Sequence, residues 1–206
     1  MGVLNYYERE HYHSVHVDDE HSRQLDPESF DRLFSQARPV LRVIAGSECG
    51  FAYCDDVVQH AAVIALEQLH KFEPGTNFTA WTAAIVRGVA RNQRRSEQRR
   101  SAHRSKLAWF TGNRQQSQDD SRVGQQVGAD FKLSKDFDKE LRDALDELSP
   151  EQRSCMLLRS MLEHSYSEIG EILDMPAATA RSHVYRARLR LLDILGPDWT
   201  KGACDD

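Results

Sequence analysis

Apolar residues recur every three or four positions through the first half of the chain, which is the spacing of an α-helix with one buried face. The first such run begins near Pro27 and contains Pro39, a residue that kinks or interrupts helices. The second begins at Asp55 and Asp56, acids that suit a helix N-terminus. The third follows the turn-forming sequence EPGTN and runs into a cluster of arginines. The pattern therefore predicts three helices within residues 27–110.

The apolar spacing stops at residues 111–136, a polar stretch rich in Gln and Gly with the composition of a linker, and returns over residues 137–196. Two capping boxes there predict helix starts, SPEQ from Ser149 and SYSE from Ser165. The second box opens a short helix, followed after DMPA by a basic amphipathic helix over residues 176–192. A short helix, a tight turn and a basic helix are typical of a helix-turn-helix. The expected fold is all-α, with two small helical domains joined by a polar linker.

The two ends of the chain lack this spacing and are expected to be poorly ordered. Residues 1–26 form an acidic, histidine-rich extension, and residues 197–206 form a short tail. Histidines in the extension are spaced as H-x-H-x-x-H, which can hold zinc, and a fourth follows: His11, His13, His16 and His21. The segment has few apolar residues to fix ligand geometry, so a solvated tail is favoured and no metal or other cofactor is predicted.

Charge is spread unevenly along the 206 residues, whose formal net charge is −5. Residues 1–31 hold eight acids against two arginines, whereas residues 87–106 hold eight basic side chains against Glu97 alone. The last predicted helix, PAATARSHVYRARLRLL, carries four arginines and no acid. Two basic islands in an acidic chain indicate a polyanion that is contacted at two places.

Other functional classes have little support. The longest apolar stretch, AAVIAL, is too short to span a bilayer, and no basic head with an apolar run marks a secretory signal. A cytoplasmic location without a membrane partner is therefore expected. Reduced, free thiols are expected there for all four cysteines: Cys49, Cys54, Cys155 and Cys204. The sequence contains no phosphate-binding glycine loop and no recognisable nucleophile–base arrangement, so the protein is not expected to be an enzyme.

The last helix divides into two faces. Four apolar residues share one of them: Ala180, Val184, Ala187 and Leu191. Four others must point elsewhere: Arg181, Ser182, Tyr185 and Arg186. The N-terminal half of such a helix enters the major groove, where Arg reads guanine and Ser or Thr holds phosphate. A solvated amphipathic helix is the plainer alternative, disfavoured because no acid balances the arginines.

The other basic island continues a helix that begins beside aromatic residues. Phe72, Phe78 and Trp81 next to positive charge suit single-stranded bases, which stack on any aromatic face. The plainer alternative is that these rings belong to the hydrophobic core while the arginines keep the helix soluble. For each ring taken singly, the hydrophobic core is the favoured interpretation.

Two blocks of the sequence resemble the sigma-70 family. Residues 55–95, DDVVQHAAVIALEQLHKFEPGTNFTAWTAAIVRGVARNQRR, resemble region 2 of sigma factors of the extracytoplasmic-function (ECF) group. Residues 145–195, LDELSPEQRSCMLLRSMLEHSYSEIGEILDMPAATARSHVYRARLRLLDIL, resemble their region 4. The resemblance implies that residues 27–110 bind core RNA polymerase and the −10 promoter element. It implies that residues 137–196 bind the −35 element through the helix-turn-helix.

The resemblance also implies roles for individual residues. Core RNA polymerase would be contacted by the helix beginning at DDVVQ, through Asp56, Val58, Gln59 and Leu66. The melted −10 element would be bound through Phe72, Thr76, Asn77, Phe78, Trp81, Arg87 and Arg91. The −35 duplex would be bound through Thr179, Arg181, Ser182, His183, Tyr185 and Arg186.

The resulting hypothesis is a non-enzymatic, dissociable subunit that gives RNA polymerase its choice of promoter. Its expected partners are core RNA polymerase and promoter DNA, and the sequence leaves open an anti-sigma factor. One alternative is a stand-alone helix-turn-helix regulator, although nothing in residues 27–95 resembles a dimerisation or ligand domain. Another is a metal-dependent enzyme that uses the N-terminal histidines, which metal analysis of the purified protein would test.

Overall fold

The structure, a computed structural model, describes residues 25–110, except the side chains of 105 and 107–110, and residues 139–196. All regular secondary structure in these two ranges is helical, which confirms the all-α class. None of the described helices is both long and apolar enough to cross a bilayer. The predicted linker, the four N-terminal histidines and almost all of both terminal extensions lie outside the described residues.

The first helix, α1 (Pro27–Cys49), begins at an N-terminal cap formed by Asp26. The Asp26 carboxylate accepts a hydrogen bond from the backbone N–H of Ser29 at 2.9 Å, and this bond holds the pKa of Asp26 below its ordinary value. Pro39 lies inside α1, and the helix continues past it to Cys49. The proline therefore does not end the helix.

The next two long helices complete the first helical unit. A 3-10 turn (Phe51–Tyr53) leads into α2 (Cys54–Glu67), and a second one (Leu69–Lys71) precedes the loop before α3 (Phe78–Phe110). All three helices lie where the apolar spacing predicted them. They contribute side chains to one hydrophobic core, including several that are 1% exposed or less: Leu41, Ile44, Ala61, Ala83 and Val86.

An ion pair joins the start of α2 to α1. Arg42 Nε lies 2.9 Å from Asp55 Oδ1, and Arg42 Nη2 donates to Asp55 Oδ2 at 3.1 Å. A two-point contact between guanidinium and carboxylate fixes orientation as well as distance. Asp55 therefore has a structural role, while its neighbour Asp56 stays exposed on the outer side of α2.

The second unit contains α4 (Lys139–Asp146), α5 (Pro150–Ser160), α6 (Tyr166–Leu173) and α7 (Ala177–Leu195). Both predicted capping boxes are present. One pairs Ser149 with Gln152 at the start of α5, and the other pairs Ser165 with Glu168 at the start of α6. The hydrogen bonds with Ser165 also lower the pKa of Glu168. The two capping boxes fix where α5 and α6 begin, and α6 is the first helix of the predicted helix-turn-helix.

The two units pack against each other. α1 contacts α5, and α3 contacts α6, so buried residues of both units belong to one continuous hydrophobic core. Polar contacts cross the same junction: Asn77 Nδ2 donates to Glu171 Oε2 at 3.2 Å, and Arg87 Nη1 donates to the carbonyl of Leu173. The predicted two-unit architecture is confirmed, and this direct packing was not anticipated.

Three of the four cysteines lie in the described residues, and all three are free thiols: Cys49, Cys54 and Cys155. Burial raises the pKa of Cys49 and of Cys155 to about 12, and it also raises the pKa of Cys54. A thiol with a raised pKa stays protonated at neutral pH and is a poor nucleophile. The prediction of free thiols is confirmed for these three, and Cys204 lies outside the described residues.

Gly170 offers a test of the packing inside the helix-turn-helix. A Cβ atom at this position would lie 2.6 Å from the carbonyl oxygen of Met175 and 3.3 Å from the backbone nitrogen of Ala177. We expect Gly170→Ala to lower the free energy of unfolding by about 1–3 kcal/mol, because backbone atoms must move to make room. Urea unfolding followed by circular dichroism measures this change.

Gly88 provides the matched control, since a Cβ there would have no atom within 4 Å and the residue lies inside α3. Gly88→Ala should raise stability by about 0.5–1 kcal/mol through helix propensity. Equal unfolding midpoints for Gly170→Ala and the unmodified protein would contradict the close packing.

Candidate nucleic-acid interface

The turn between α6 and α7 sets the direction of the basic helix. Asp174 ends α6 in the left-handed conformation, with φ 55°, and the backbone N–H of Met175 donates to the carbonyl of Gly170 at 2.9 Å. The predicted inner face of α7 is confirmed, because each of its four residues is at most 1% exposed: Ala180, Val184, Ala187 and Leu191. The opposite side of α7 therefore faces solvent.

The sequence-predicted residues of α7 fall into two groups. Four are exposed near the N-terminal half of the helix: Arg181, Ser182, Tyr185 and Arg186. Tyr185 is 63% exposed, although its ring is large and apolar. Thr179 and His183 are half-buried at the margins of this surface. α7 thus presents two arginines, a hydroxyl and an aromatic ring on one open surface.

Two residues that sequence reasoning missed adjoin this surface. The guanidinium groups of Arg159 and Arg181 lie over the ring of Tyr166, at 5.2 and 5.1 Å from its centroid. Arg159 also donates to the carbonyl of His164 at 3.1 Å. Cation–π contacts restrain these long side chains, so Tyr166 helps to orient Arg181. No short sequence pattern predicts the contact, because its three members come from α5, α6 and α7.

The second basic surface lies along α3. Arg87, Arg91 and Arg94 follow one another at intervals of four and three residues, which places them on one helix face. Arg87 reaches the carbonyl of Leu173, and its burial lowers its pKa. Farther along α3, Glu97 lies 3.7 Å from Arg100 and 2.7 Å from Arg104. This helix therefore carries cations that already have partners within the chain.

A buried acid partners two of these arginines. Glu48 Oε1 lies 3.4 Å from Arg91 Nε, and Glu48 Oε2 lies 3.6 Å from Arg94 Nη1. The Glu48 side chain is 6% exposed, whereas those of Arg91 and Arg94 are 50% and 43% exposed. Sequence reasoning missed Glu48, because it precedes α3 by thirty residues and carries no motif.

The aromatic residues beside α3 form a small hydrophobic cluster. Phe72 and Phe78 are each 7% exposed, and the Phe78 ring also meets that of Phe30 at 5.6 Å. The hydrophobic-core interpretation is therefore correct for these two rings. Trp81 packs on Phe72 at 5.2 Å and is only partly buried, so part of its surface remains available.

The loop residues Thr76 and Asn77 are exposed next to this cluster. Thr76 Oγ1 donates to the carbonyl of Glu73 at 2.7 Å, and Asn77 Oδ1 accepts from the backbone N–H of Ala80 at 3.0 Å. Asn77 thus caps the start of α3 while its amide group contacts Glu171 of α6. Both polar side chains are held by local hydrogen bonds at the edge of the basic surface.

α2 carries an exposed apolar stripe. Leu66 is 46% exposed, and Val63, which sequence reasoning missed, is 55% exposed. Together with exposed Gln59 they lie at intervals of four and three residues, so they share one face. Val58 is instead 2% exposed and belongs to the hydrophobic core, so the expectation that it contacts a partner is corrected. An exposed apolar face on an otherwise polar surface is typical of a protein-binding site.

Comparisons with known proteins match both units of this chain. Residues 33–100 match the family described as Sigma-70 region 2, and residues 138–191 match that described as Sigma-70, region 4. The chain is 31% identical over 163 residues to the ECF RNA polymerase sigma factor EcfG of Rhodopseudomonas palustris, covering 79% of this chain and 82% of that protein. It is 25% identical over 174 residues to the RNA polymerase sigma factor CarQ of Myxococcus xanthus, covering 82% of this chain and 90% of that protein.

A solved sigma factor structure has a similar fold. The sigma factor RpoE of Bartonella quintana, crystallised with the anti-sigma factor NepR, aligns with a TM-score of 0.51 and 25% identity. The alignment covers 83% of this chain and 99% of that one. The likeness therefore extends over both helical units.

The Tyr166 ring provides a test of how Arg159 and Arg181 are held. Tyr166→Leu should lower the free energy of unfolding by about 1–2 kcal/mol, because it removes two cation–π contacts. Tyr166→Phe keeps an aromatic ring and should stay within about 0.5 kcal/mol of the unmodified protein. Chemical unfolding of the two variants compares them, and equal losses would contradict the role of the ring.

Proposed function

This chain belongs to the ECF sigma factors of the sigma-70 family, and we propose that its described surfaces are divided among three partners in transcription initiation. In this proposal α2 binds core RNA polymerase, α3 with the preceding loop binds the melted −10 element, and α7 binds the −35 duplex. The protein then acts as a non-enzymatic subunit in the cytoplasm. The observation that carries the proposal is the presence of two separate basic helices in an acidic chain that matches both sigma regions.

The proposed −35 surface is the exposed side of α7. Arg181 and Arg186 are exposed near the N-terminal half of α7, and that half of the second helix enters the major groove in helix-turn-helix proteins. Arg186 is proposed to read a base edge, since a guanidinium can donate two hydrogen bonds to guanine. Arg181, restrained on the Tyr166 ring, is proposed to lie beside it against DNA. Ser182 supplies a hydroxyl at the same surface.

The proposed −10 surface combines α3 with the loop before it. Arg91 and the arginines beyond it suit the phosphates of a DNA strand, which attract cations whatever the sequence. Thr76, Asn77 and the accessible part of Trp81 lie at the start of α3, and we propose that they contact the same strand. Phe72 and Phe78 support this surface from the hydrophobic core and are not proposed to contact bases.

The proposed polymerase-binding surface is the outer face of α2. Val63 and Leu66 offer apolar area, and Asp56 and Gln59 offer polar groups at the same face. Burial of exposed apolar side chains is the main favourable contribution in most protein association. Because this surface belongs to α2, the proposal assigns polymerase and DNA to different helices.

We further propose that the two units separate when the promoter is bound. The −10 and −35 elements are about 25 base pairs apart, or roughly 85 Å at 3.4 Å per base pair. α3 and α6 are in direct contact in the described structure, with Asn77 and Arg87 bonded to α6. Release of Asn77 and Arg87 from α6 would make them available to the −10 strand.

An anti-sigma factor is a further proposed partner, supported by the complex in which the similar Bartonella quintana sigma factor was crystallised. A stand-alone helix-turn-helix regulator lacks the support that matches to both regions give to a sigma factor. Run-off transcription with core RNA polymerase across genomic DNA tests the proposed function directly. Transcripts that share −35 and −10 elements are expected, and absence of any start dependent on this protein would contradict it.

The polymerase-binding surface predicts a specific loss. The double variant Val63→Ser, Leu66→Ser should weaken binding to core RNA polymerase about tenfold or more, because two apolar side chains no longer gain from burial. Helical content should not change, since both residues are exposed. Leu189→Ser is the control, because Leu189 is 50% exposed but lies on α7. Undiminished capture of core polymerase by the double variant would contradict the assignment.

The two basic helices predict different losses on a library of promoters. Arg186→Ala should relax the preference at one −35 position, since a bidentate pair with guanine is worth about 1–3 kcal/mol of discrimination. Arg91→Ala should weaken binding by a similar factor on every promoter and lower the salt dependence by about one phosphate contact. Transcription at several salt concentrations measures both effects. A uniform loss with Arg186→Ala would mean that α7 only binds phosphate.

A further inference from the structure

Glu48 occupies an unusual position for an acid. It lies in the last turn of α1, where the negative end of the helix dipole disfavours a carboxylate, and its side chain is only 6% exposed. A buried charge of this kind requires nearby opposite charge. That charge comes from α3, through Arg91 at 3.4 Å and Arg94 at 3.6 Å.

Arg91 and Arg94 each contact Glu48 on one side and solvent on the other. Their inner sides meet Glu48, and their exposed fractions of 50% and 43% leave outer sides facing solvent. The field of Glu48 also reaches Arg87, whose pKa is lowered first by burial and then by Arg91, with Glu48 and Asp174 acting in the opposite direction. One buried acid therefore acts on the whole Arg87–Arg91–Arg94 face of α3.

We propose that Glu48 is a fixed internal counter-charge that limits how tightly α3 holds DNA phosphate. This inference rests on the proposed function of α3 as the surface for the −10 strand. A phosphate that approaches the outer side of Arg91 or Arg94 is attracted by the guanidinium groups and repelled by the carboxylate behind them. Because Glu48 is buried, it cannot turn away into solvent when DNA arrives.

The expected consequence is weaker attachment to DNA of any sequence. Phosphate contacts carry no base information, so Glu48 should reduce affinity equally on promoter and non-promoter DNA. Non-specific binding depends almost entirely on such contacts, and tight non-specific binding would hold the polymerase away from promoters. In this proposal Glu48 weakens the binding of phosphate by α3 enough for the protein to dissociate from DNA, while the arginines still attract it.

The test uses the complex of the full chain with core RNA polymerase. Glu48→Gln removes the charge and keeps the shape, and binding is measured to a fluorescent promoter fragment and to a non-promoter fragment over a range of potassium chloride concentrations. We expect about three- to tenfold tighter binding to both fragments, from loss of a like charge near the phosphate. The slope of log affinity against log salt should steepen by about one.

Two controls separate this effect from overall charge and from folding. Glu140→Gln makes the same change in net charge at an exposed position on α4 and should leave both quantities unchanged. Glu48→Met removes the charge with an apolar side chain suited to a buried site, and it should reproduce the tighter binding. If Glu48 served only as an ion-pair link between α1 and α3, its replacement would lower stability without changing the slope of log affinity against log salt.

A double variant, Arg91→Gln with Arg94→Gln, distinguishes failure of this inference from failure of the proposed function. If it binds DNA as tightly as the unmodified protein, α3 is not a phosphate-binding surface and the proposed function of that helix is wrong. If it binds more weakly but Glu48→Gln and Glu48→Met leave affinity and salt slope unchanged or reduced, the counter-charge inference is overturned.

Discussion

Burial of one continuous apolar core around α1 is the constraint on which the rest of the described structure depends. α1 packs against α2 and α3 within its own unit and against α5 of the other, so together with α3 it joins the two units. Its residues Leu41, Val43 and Ile44 are fully buried. Because these contacts orient α2, α3 and α5 together, the positions of the exposed face of α2 and of both basic helices depend on how α1 is packed.

Three arginines of α3 have partners within the chain, and in the proposed function DNA phosphates would compete with those partners. In the described form Arg87 bonds to a carbonyl of α6, and Arg91 and Arg94 lie against Glu48. In the proposed promoter complex phosphates compete for the same groups. If the two units separate as proposed, the bond from Arg87 to α6 is exchanged for DNA, whereas the buried Glu48 carboxylate remains beside Arg91 and Arg94. In that proposal α3 has one removable and one permanent intramolecular partner.

Several site residues were predictable and several were not, and the difference has a physical basis. The outward residues of α7 follow from helix periodicity, because the positions of Ala180 and Val184 in the hydrophobic core determine which side chains face away. Burial of Val58 and exposure of Val63 were not predicted, since a short helix with many apolar residues does not reveal which neighbours cover each face. Tyr166 and Glu48 act through contacts between helices that are distant in sequence.

The sequence by itself determined the all-α class, the helix starts at Ser149 and Ser165, and the resemblance to two sigma regions. These features depend on local capping chemistry and on periodic burial, which each helix expresses along its own length. Only the tertiary structure decided that the two units share a hydrophobic core and which arginines already have partners. Such contacts depend on the distance between side chains brought together by folding, and that distance is not encoded in any short stretch of sequence.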